Sequence, residues 1–270
     1  MHADTQGGLK IYFFNNLSKH PGIRHFVSTR LGGVSKPPFD SLNLSFIETD
    51  MDSVLENHKR LSEVVKIPME NFVFCKQVHS GNVALITDQQ KGAGVFSRET
   101  AISNTDALIT VEPNLCLTVF AADCVPILLF DPMKKALAAV HSGWKGTVAK
   151  ILTNAIERMQ GEYGTDPQYL IAGIGPSIGP ESYEVDTPVI QAFKAAFPKE
   201  DFVVMKDETH GMLDLWKANK YQLLQKGVLE ENIEIARIDT FQNAKEFFSD
   251  RRQRPTGRFA ASIMFYPSAL

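Results

Sequence analysis

The stretch AADCVPILLFDPMKKALAAVHSGWKGT, residues 121–147, decides how the rest of the chain is arranged. Two apolar runs, Val125–Phe130 and Ala136–Val140, flank a short proline-containing segment, which is typical of a β-hairpin. Cys124 stands just before the first run and His141 just after the second. Because the start of one antiparallel strand lies beside the end of the next, we expect the thiol and the imidazole to meet at one sheet edge.

The residues after the hairpin predict a helix. Apolar residues recur there at i, i+3 and i+4 spacing, which indicates one buried helical face. They are Val148, Ile151, Leu152, Ala155, Ile156 and Met159. Lys145 and a helix N-terminus near Gly146 and Thr147 would then lie beside the thiol and the imidazole, in a place suited to chemistry and to anion binding.

Composition limits the kinds of partner that the chain can have. Its 270 residues suffice for one large domain or two small ones, and 44% hydrophobic with 22% charged residues is ordinary for a globular protein. A formal charge of −3 gives no electrostatic case for nucleic acid or an anionic membrane. Three cysteines are too few for a disulfide framework, and the N-terminus has no apolar signal core. We therefore expect a cytoplasmic protein with no nucleic-acid or membrane partner.

Short strands and amphipathic helices are predicted along the rest of the chain. The strands are Ile11–Phe14, His25–Thr29, Asn71–Cys75, Asn82–Thr87, Thr105–Val111, Leu115–Phe120, Tyr169–Ile174, Ile233–Ile238 and Arg258–Tyr266. The helices are Met51–Lys66, Thr187–Phe197 and Leu213–Gln225. Residues 88–104, which are polar and contain two glycines, predict a surface loop.

Three predicted turns each carry a side chain that can bind a metal. His79 lies between two predicted strands, while Cys124 and His141 bracket the hairpin. Two imidazoles and a thiolate suit zinc, with a fourth position left for water or substrate. The residues alone also allow a Cys124 nucleophile with His141 as its base, or a blue-copper centre. Cys75 and Cys116 lie inside apolar runs and are expected to be core thiols.

Basic residues in two further segments are candidates for binding an anion. Arg30 precedes the pair Gly32-Gly33, where the backbone can approach a ligand closely. Residues 251–258 contain four arginines, which form either a solvated face or, beside an anionic substrate, bidentate phosphate contacts. Turn chemistry alone favours a solvated Arg30, so the residues leave both interpretations open.

Six stretches match one family in the same order and cover nearly the whole chain. They are Thr29–Ser35, Lys76–His79, Ala122–Pro126, Ala139–Thr147, Gly175–Pro180 and Phe247–Arg258. The chain therefore resembles the bacterial family once described as multicopper polyphenol oxidases or laccases and now regarded as zinc-dependent purine nucleoside phosphorylases and adenosine deaminases.

The resemblance implies a fold and a metal site. It implies a single catalytic domain over residues 1–270, of the α+β class, with mixed sheets in a layered α/β/β/α sandwich that is also described for cysteine hydrolases. It also implies that His79, Cys124 and His141 are zinc ligands. The family often has cysteines where this chain has Glu181-Ser182, and it usually has a cysteine before the threonine where this chain has Asp239 before Thr240. Neither difference replaces an expected ligand, but both weaken a copper interpretation and leave room for Asp239 to change the polarity of the pocket.

The implied activity is the phosphorolysis of adenosine, inosine or guanosine to purine base and ribose 1-phosphate, with adenosine deamination as a companion. Arg30, Lys145 and Arg252 are the candidates for holding phosphate. Cys124 and its neighbour Asp123 are the candidates for catalysis, because deamination needs an acid–base carboxylate near the metal. Asp123 could equally cap the turn or orient His141. A copper phenol oxidase and a non-enzymatic metal-binding partner protein remain the alternatives.

Overall fold

Two six-stranded mixed sheets and one three-stranded sheet organise the chain in a computed structural model that describes residues 1–47 and 49–266. The strands are β1 His2–Gln6, β2 Leu9–Phe13, β3 Ile23–Ser28, β4 Phe72–Val73, β5 Val83–Leu85, β6 Ala107–Thr110, β7 Cys116–Ala121, β8 Val125–Asp131, β9 Ala136–Ser142, β10 Ile171–Ile174, β11 Glu184–Asp186, β12 Val203–Met205, β13 His210–Leu213, β14 Ile233–Ile235 and β15 Phe259–Phe265. The helices are α1 Met51–Val65, α2 Trp144–Val148, α3 Ile151–Tyr163, α4 Thr187–Ala196 and α5 Leu215–Gln225.

The predicted hairpin is the centre of the second large sheet, whose order is β14-β10-β8-β9-β6-β5. Strands β8 and β9 pair antiparallel along their full length, with Val125 opposite Ser142 and Pro126 opposite His141. All residues of both strands are buried, as their continuous apolar runs predict. The hairpin prediction is confirmed, and β9 extends through His141 rather than ending before it.

Three apolar clusters show how the layers stack. In the first large sheet, of order β1-β2-β3-β15-β7-β4, one face packs against the second large sheet, through residues such as Val119 and Leu128. The other face of the first sheet packs against Leu61 of α1. The outer face of the second sheet packs against α3 and α5, through Ile156 and Ala218. Helix, sheet, sheet and helix therefore follow one another, which confirms the α+β class and the layered order.

The helix predicted after the hairpin is divided into two. Helix α2 begins at Trp144 after the N-cap Gly143, and α3 begins at Ile151 after Lys150, whose φ of 57° is left-handed. The apolar face that was predicted is present in α3, where Ile151 through Met159 supply the buried positions. The helix N-terminus predicted near Gly146 and Thr147 is displaced by two residues, because α2 already begins at Trp144.

The remaining predicted elements form within one to three residues of their expected ends. Helix α1 begins after Asp50, whose carboxylate accepts from the Ser53 amide at 3.0 Å, and ends at a left-handed Lys66. Exposed β1 and the small sheet β11-β13-β12 were not predicted. Among the described residues, no helix has both the length and the apolar character that crossing a membrane requires.

Candidate metal centre and its cavity

The hairpin and one neighbouring turn bring His79, Cys124 and His141 together. Cys124 immediately precedes β8 and His141 lies near the end of β9, so the antiparallel register places them side by side. His79 comes from the turn before β5, and its ring centroid lies 5.0 Å from that of His141. One ligand atom from each of the three side chains lies within 4.8 Å of the others. The juxtaposition predicted from the sequence is therefore present.

Gly143 provides the space in which the three side chains meet. A Cβ atom at this position would lie 2.6 Å from Cys124 Sγ and 3.2 Å from His79 Cδ2. Both distances are shorter than ordinary van der Waals contact, so any larger residue would displace the thiol or the imidazole. The glycine is thus required by close approach rather than by its backbone angles.

Asp106, which was not predicted from the sequence, orients the His141 ring and holds the backbone of His79. Its Oδ1 lies 3.0 Å from His141 Nδ1 and accepts from the His79 amide at 3.0 Å. Its Oδ2 accepts from the amide and the hydroxyl of Ser80, at 2.7 and 2.8 Å. This contact assigns the Nδ1 proton of His141 and leaves its Nε2 for a ligand, which is the usual carboxylate–histidine arrangement of metal sites.

The electrostatics of the cluster favour the thiolate. Burial alone would raise the pKa of the Cys124 thiol, but the neighbouring His141 and His79 lower it to about 6. Burial alone would lower the pKa of His141, but Cys124 and Asp106 raise it to about 9. Burial opposes ionisation of Asp106, yet its hydrogen bonds from His141 and Ser80 lower its pKa to about 2. A thiolate is the form in which cysteine binds metals and attacks electrophiles.

The other two cysteines have the opposite character, as predicted. Cys75 and Cys116 are both buried, and their burial raises the pKa of each thiol, for Cys116 to about 12. Both therefore remain protonated core thiols.

A cavity of about 470 Å³ opens beside the cluster, and all three candidate ligands line it. This volume is within the usual range for small-molecule sites. Aromatic side chains form much of its wall, and those of Phe74 and Phe120 lie edge to face with ring centroids 4.8 Å apart. The aromatic residues of the lining are Phe46, Phe74, Phe120, Trp144 and Tyr183.

Asp123 lines the cavity, but its carboxylate is occupied by the protein. Oδ1 accepts from the Thr240 hydroxyl at 2.7 Å, while Oδ2 accepts from the Ser249 hydroxyl at 3.0 Å and the Arg251 amide at 2.7 Å. The residue is buried, and its φ of 86° is left-handed. Asp123 thus joins the Cys124 turn to the arginine-rich segment, which agrees with the turn-holding alternative.

The structure brings only one of the three predicted phosphate ligands to the cavity. Lys145 lines it, whereas Arg30 and Arg252 are not among the lining residues in the described part of the chain. Arg30 donates to the carbonyl oxygens of Asp40 and Ala244, at 2.7 and 3.0 Å, and forms an ion pair with the Asp40 carboxylate at 3.2 Å. Arg252 donates to the Phe241 carbonyl at 2.8 Å. Both guanidinium groups therefore hold loops together.

Cationic side chains other than Arg30 and Arg252 line the cavity. Three of the four arginines in residues 251–258 line it, as the phosphate alternative for that segment requires. Lys76 and Arg98 also line it, although neither was predicted from the sequence to be a site residue. Glu181, Ser182 and Asp239 are not among the lining residues within 1–47 and 49–266, and the Asp239 carboxylate instead accepts from the Ser182 hydroxyl.

The family model described as multi-copper polyphenol oxidoreductase laccase matches residues 24–266. This chain belongs to that family. The match covers every residue of the metal cluster and its cavity. It confirms the resemblance that the six sequence stretches carried.

Individual proteins are similar to this chain over nearly its full length. A protein of Bacteroides thetaiotaomicron named purine nucleoside phosphorylase is 39% identical over 257 residues, which cover 94% of this chain and 95% of the relative. The crystal structure of YlmD from Geobacillus stearothermophilus has a TM-score of 0.91 at 32% identity and covers 96% of both chains. That of the hypothetical protein YfiH from Bacillus licheniformis has a TM-score of 0.91 at 30% identity and covers 97% of both.

Proposed function

We propose that the chain is a zinc-dependent purine nucleoside phosphorylase, which converts adenosine, inosine or guanosine and phosphate to purine base and ribose 1-phosphate. The observation that carries the proposal is the cluster of His79, Cys124 and His141 at one end of a cavity lined by aromatic and cationic side chains. The name of the Bacteroides thetaiotaomicron relative supports it. The proposal includes a single catalytic domain over residues 1–270, with a cysteine-hydrolase-like fold, acting in the cytoplasm.

The residues present fit a zinc ion. Two imidazoles and a thiolate form a borderline-soft set with three protein ligands, and Gly143 leaves the space where they converge. Asp106 holds the His141 imidazole in the tautomer whose Nε2 is unprotonated and can bind the metal. Zinc bound there would supply a Lewis acid that stabilises negative charge developing on the substrate.

The aromatic wall suits a purine nucleoside. Flat apolar bases bind well against the faces and edges of aromatic rings, and five aromatic side chains line the cavity. Tyr183 adds a polar group, because burial raises the pKa of its phenol and keeps it protonated as a donor. The centroid of the Tyr183 ring lies 5.2 Å from the Arg251 guanidinium, within the range of a cation–π contact.

The cationic wall suits the phosphate co-substrate. Lys145 lies on α2, two positions after Gly143, whose close contacts are with Cys124 and His79, so we assign phosphate binding to Lys145 together with Arg251. In the reaction a phosphate oxygen bonds to C1′ while the C1′–N9 bond breaks. The electron pair leaves with the purine, which takes up a proton from the attacking phosphate or from solvent. Holding both reactants in line is the main contribution of these side chains.

Adenosine deamination, in which water replaces the 6-amino group and ammonia leaves, is the second part of the proposal. It needs an acid–base carboxylate, and Asp123 remains the candidate next to Cys124. Because three hydrogen bonds occupy the Asp123 carboxylate, we expect Asp123→Asn to destabilise the protein and to reduce both reactions together. A variant that keeps phosphorolysis and its melting temperature but loses deamination would instead assign Asp123 the acid–base role.

The description of the family as laccases keeps copper oxidation as a second candidate function. A multicopper centre needs several clusters of ligands, and the described residues offer one group of three histidine, cysteine or carboxylate side chains at metal-binding distances. A non-enzymatic metal-binding protein would account for that group but not for the aromatic and cationic cavity beside it.

The deciding experiment incubates the purified protein with adenosine or inosine, with and without phosphate, and separates the products by chromatography. We expect free base only when phosphate is present, and about one zinc per chain by elemental analysis. Cys124→Ser should lose both zinc and turnover, whereas the matched buried-thiol variant Cys116→Ala should keep both. Oxidation of a phenol by dioxygen without nucleoside turnover, together with stoichiometric copper, would show that the proposal is wrong.

A further inference from the structure

The cavity carries more positive charge than one phosphate ion requires. Six cationic side chains and two carboxylates line it, a surplus of four positive charges in a chain whose formal charge is −3. A concave site with one sign of charge concentrates ligands of the opposite sign. The cations are Lys76, Arg98, Lys145, Arg251, Arg254 and Arg258.

The two carboxylates neutralise only part of this charge. Asp250 accepts from Arg254 Nε at 2.7 Å and lies 3.2 Å from Arg258 Nη2, so it is shared between two arginines. Asp123 is buried and bound by hydroxyl and amide donors. Within residues 1–47 and 49–266, the other four cations form no ion pair with a carboxylate. Arg251 and Lys76 instead donate to the carbonyl oxygens of Glu184 and Glu99, at 2.9 and 3.1 Å, so no carboxylate of the described residues neutralises the charges of these four side chains.

These four cations come from different walls of the cavity. Lys145 belongs to α2, directly after the glycine that contacts the candidate metal ligands. Lys76 and Arg98 belong to a separate wall, where Lys76 Nζ donates to the Glu99 carbonyl at 3.1 Å and so lies beside the 3₁₀ turn Arg98–Thr100. Arg98 is exposed, and the Glu99 carboxylate next to it is bound by the Ser97 hydroxyl outside the lining. The cavity therefore has cations on two walls, one formed by α2 and the other by Lys76 and the Arg98–Thr100 turn.

Resting on the proposed function, we propose that this site also accepts purine nucleoside 5′-monophosphates, with the 5′-phosphate bound by Arg98 and Lys76. Inorganic phosphate must approach C1′, and a 5′-phosphate is attached to the opposite side of the ribose ring. One phosphate cannot take the place of the other, so such a substrate needs two cationic positions.

The chemistry at C1′ is unchanged for such a substrate. A phosphate oxygen bonds to C1′, the C1′–N9 bond breaks, and its electron pair leaves with the purine, which takes up one proton. The products are free base and ribose 1,5-bisphosphate. The 5′-phosphate keeps all its bonds, so its contribution is binding and positioning.

The test compares AMP with adenosine on the zinc-loaded full chain, by calorimetric binding and by phosphorolysis. We expect AMP to bind roughly tenfold more tightly than adenosine in dilute buffer, and this preference to fall towards one in about 0.5 M salt. Arg98→Ala should reduce the AMP-to-adenosine affinity ratio about tenfold. The control Arg60→Ala removes a half-buried arginine that is paired with Glu56 on α1, outside the cavity lining, and should leave the ratio unchanged.

The outcomes separate this inference from the proposed function. If adenosine is cleaved but AMP shows no salt-sensitive preference, the inference is wrong and the proposed function stands. If Arg60→Ala lowers the ratio as much as Arg98→Ala, general surface charge explains the preference and the assignment to Arg98 is overturned. If no nucleoside is cleaved in the presence of phosphate, the proposed function is wrong. The ratio of AMP affinity to adenosine affinity still decides whether Arg98 and Lys76 bind a 5′-phosphate.

Discussion

Replacing Asp106 by asparagine tests whether one carboxylate prepares the metal centre. Both carboxylate oxygens accept hydrogen bonds in the native chain, Oδ1 from His141 and the His79 amide and Oδ2 from Ser80. An amide group can accept on only one side. Because Oδ2 accepts the shorter bonds, from the Ser80 amide and hydroxyl, we expect the new NH₂ group to face His141 Nδ1.

That orientation reverses the tautomer of His141. Its Nδ1 would have to accept from the amide, so the ring proton would move to Nε2, the nitrogen left for the metal. Loss of such an orienting partner typically weakens metal affinity by about 10- to 100-fold, which corresponds to about 1.4–2.7 kcal/mol. The His79 amide also loses its acceptor, so we expect a value near the upper end of this range.

The assay is a competition for zinc against a chromophoric chelator at pH 7, with melting temperatures measured in parallel. Asp131→Asn is the matched control, since Asp131 is a buried carboxylate of the same hairpin whose Oδ1 caps the turn and whose Oδ2 has no protein partner among the described residues. Its asparagine can keep both bonds to Oδ1, and zinc affinity should be unchanged. Equal losses in both variants would indicate general destabilisation, and undiminished affinity in Asp106→Asn would refute the orienting role.

Three further predictions follow from other contacts. Gly143→Ala should weaken zinc binding at least tenfold by displacing Cys124 Sγ, as measured by chelator competition. The control Gly161→Ala should leave zinc affinity unchanged, because a Cβ atom there meets nothing within 4 Å. Arg30→Lys should cost about 2 kcal/mol of unfolding free energy, measured with urea, because lysine cannot span Asp40 and the Ala244 carbonyl together; a raised phosphate KM without loss of stability would contradict this. Burial lowers the pKa of His25 to about 4 in the native state, so the unfolded chain takes up a proton first as pH falls. Stability should then decrease by about 3 kcal/mol from pH 7 to 4, and His25→Gln should remove that part of the decrease.

The hairpin and its two candidate ligands could be predicted because their determinants are local. Apolar runs of strand length, a proline turn and antiparallel geometry are sufficient to place Cys124 beside His141. His79 could be suggested from its turn, but its approach to the hairpin depends on Asp106, which holds the backbone of that turn. A single aspartate at the start of an apolar strand has no sequence pattern that separates it from a surface residue.

The features that could not be predicted from the sequence have different physical causes. The division between α2 and α3 depends on the left-handed conformation of Lys150. A lysine does not favour that conformation, so its identity gives no sign of the break. The small sheet consists of strands of three or four residues, too short for periodicity to show. Arg30 was assigned to phosphate from its glycine-rich setting, yet its partner Ala244 lies more than two hundred positions away. Long-range pairing of a guanidinium cannot be read from its neighbours in sequence.

The candidate metal centre combines strained turns with buried carboxylates that hold them. His79 and Asp123 both have positive φ angles, 61° and 86°, and this left-handed conformation costs energy for residues other than glycine. Asp106 binds the amide of His79, and the Asp123 side chain binds Thr240, Ser249 and the Arg251 amide across the cavity wall. The protein's own hydrogen bonds therefore fix the two turns that carry His79 and Cys124, and ligand geometry does not have to be created by the ion. With the turns fixed in advance, little of the metal's binding energy is spent on ordering its ligands. Asp123 also connects the arginine-rich segment to the neighbouring Cys124.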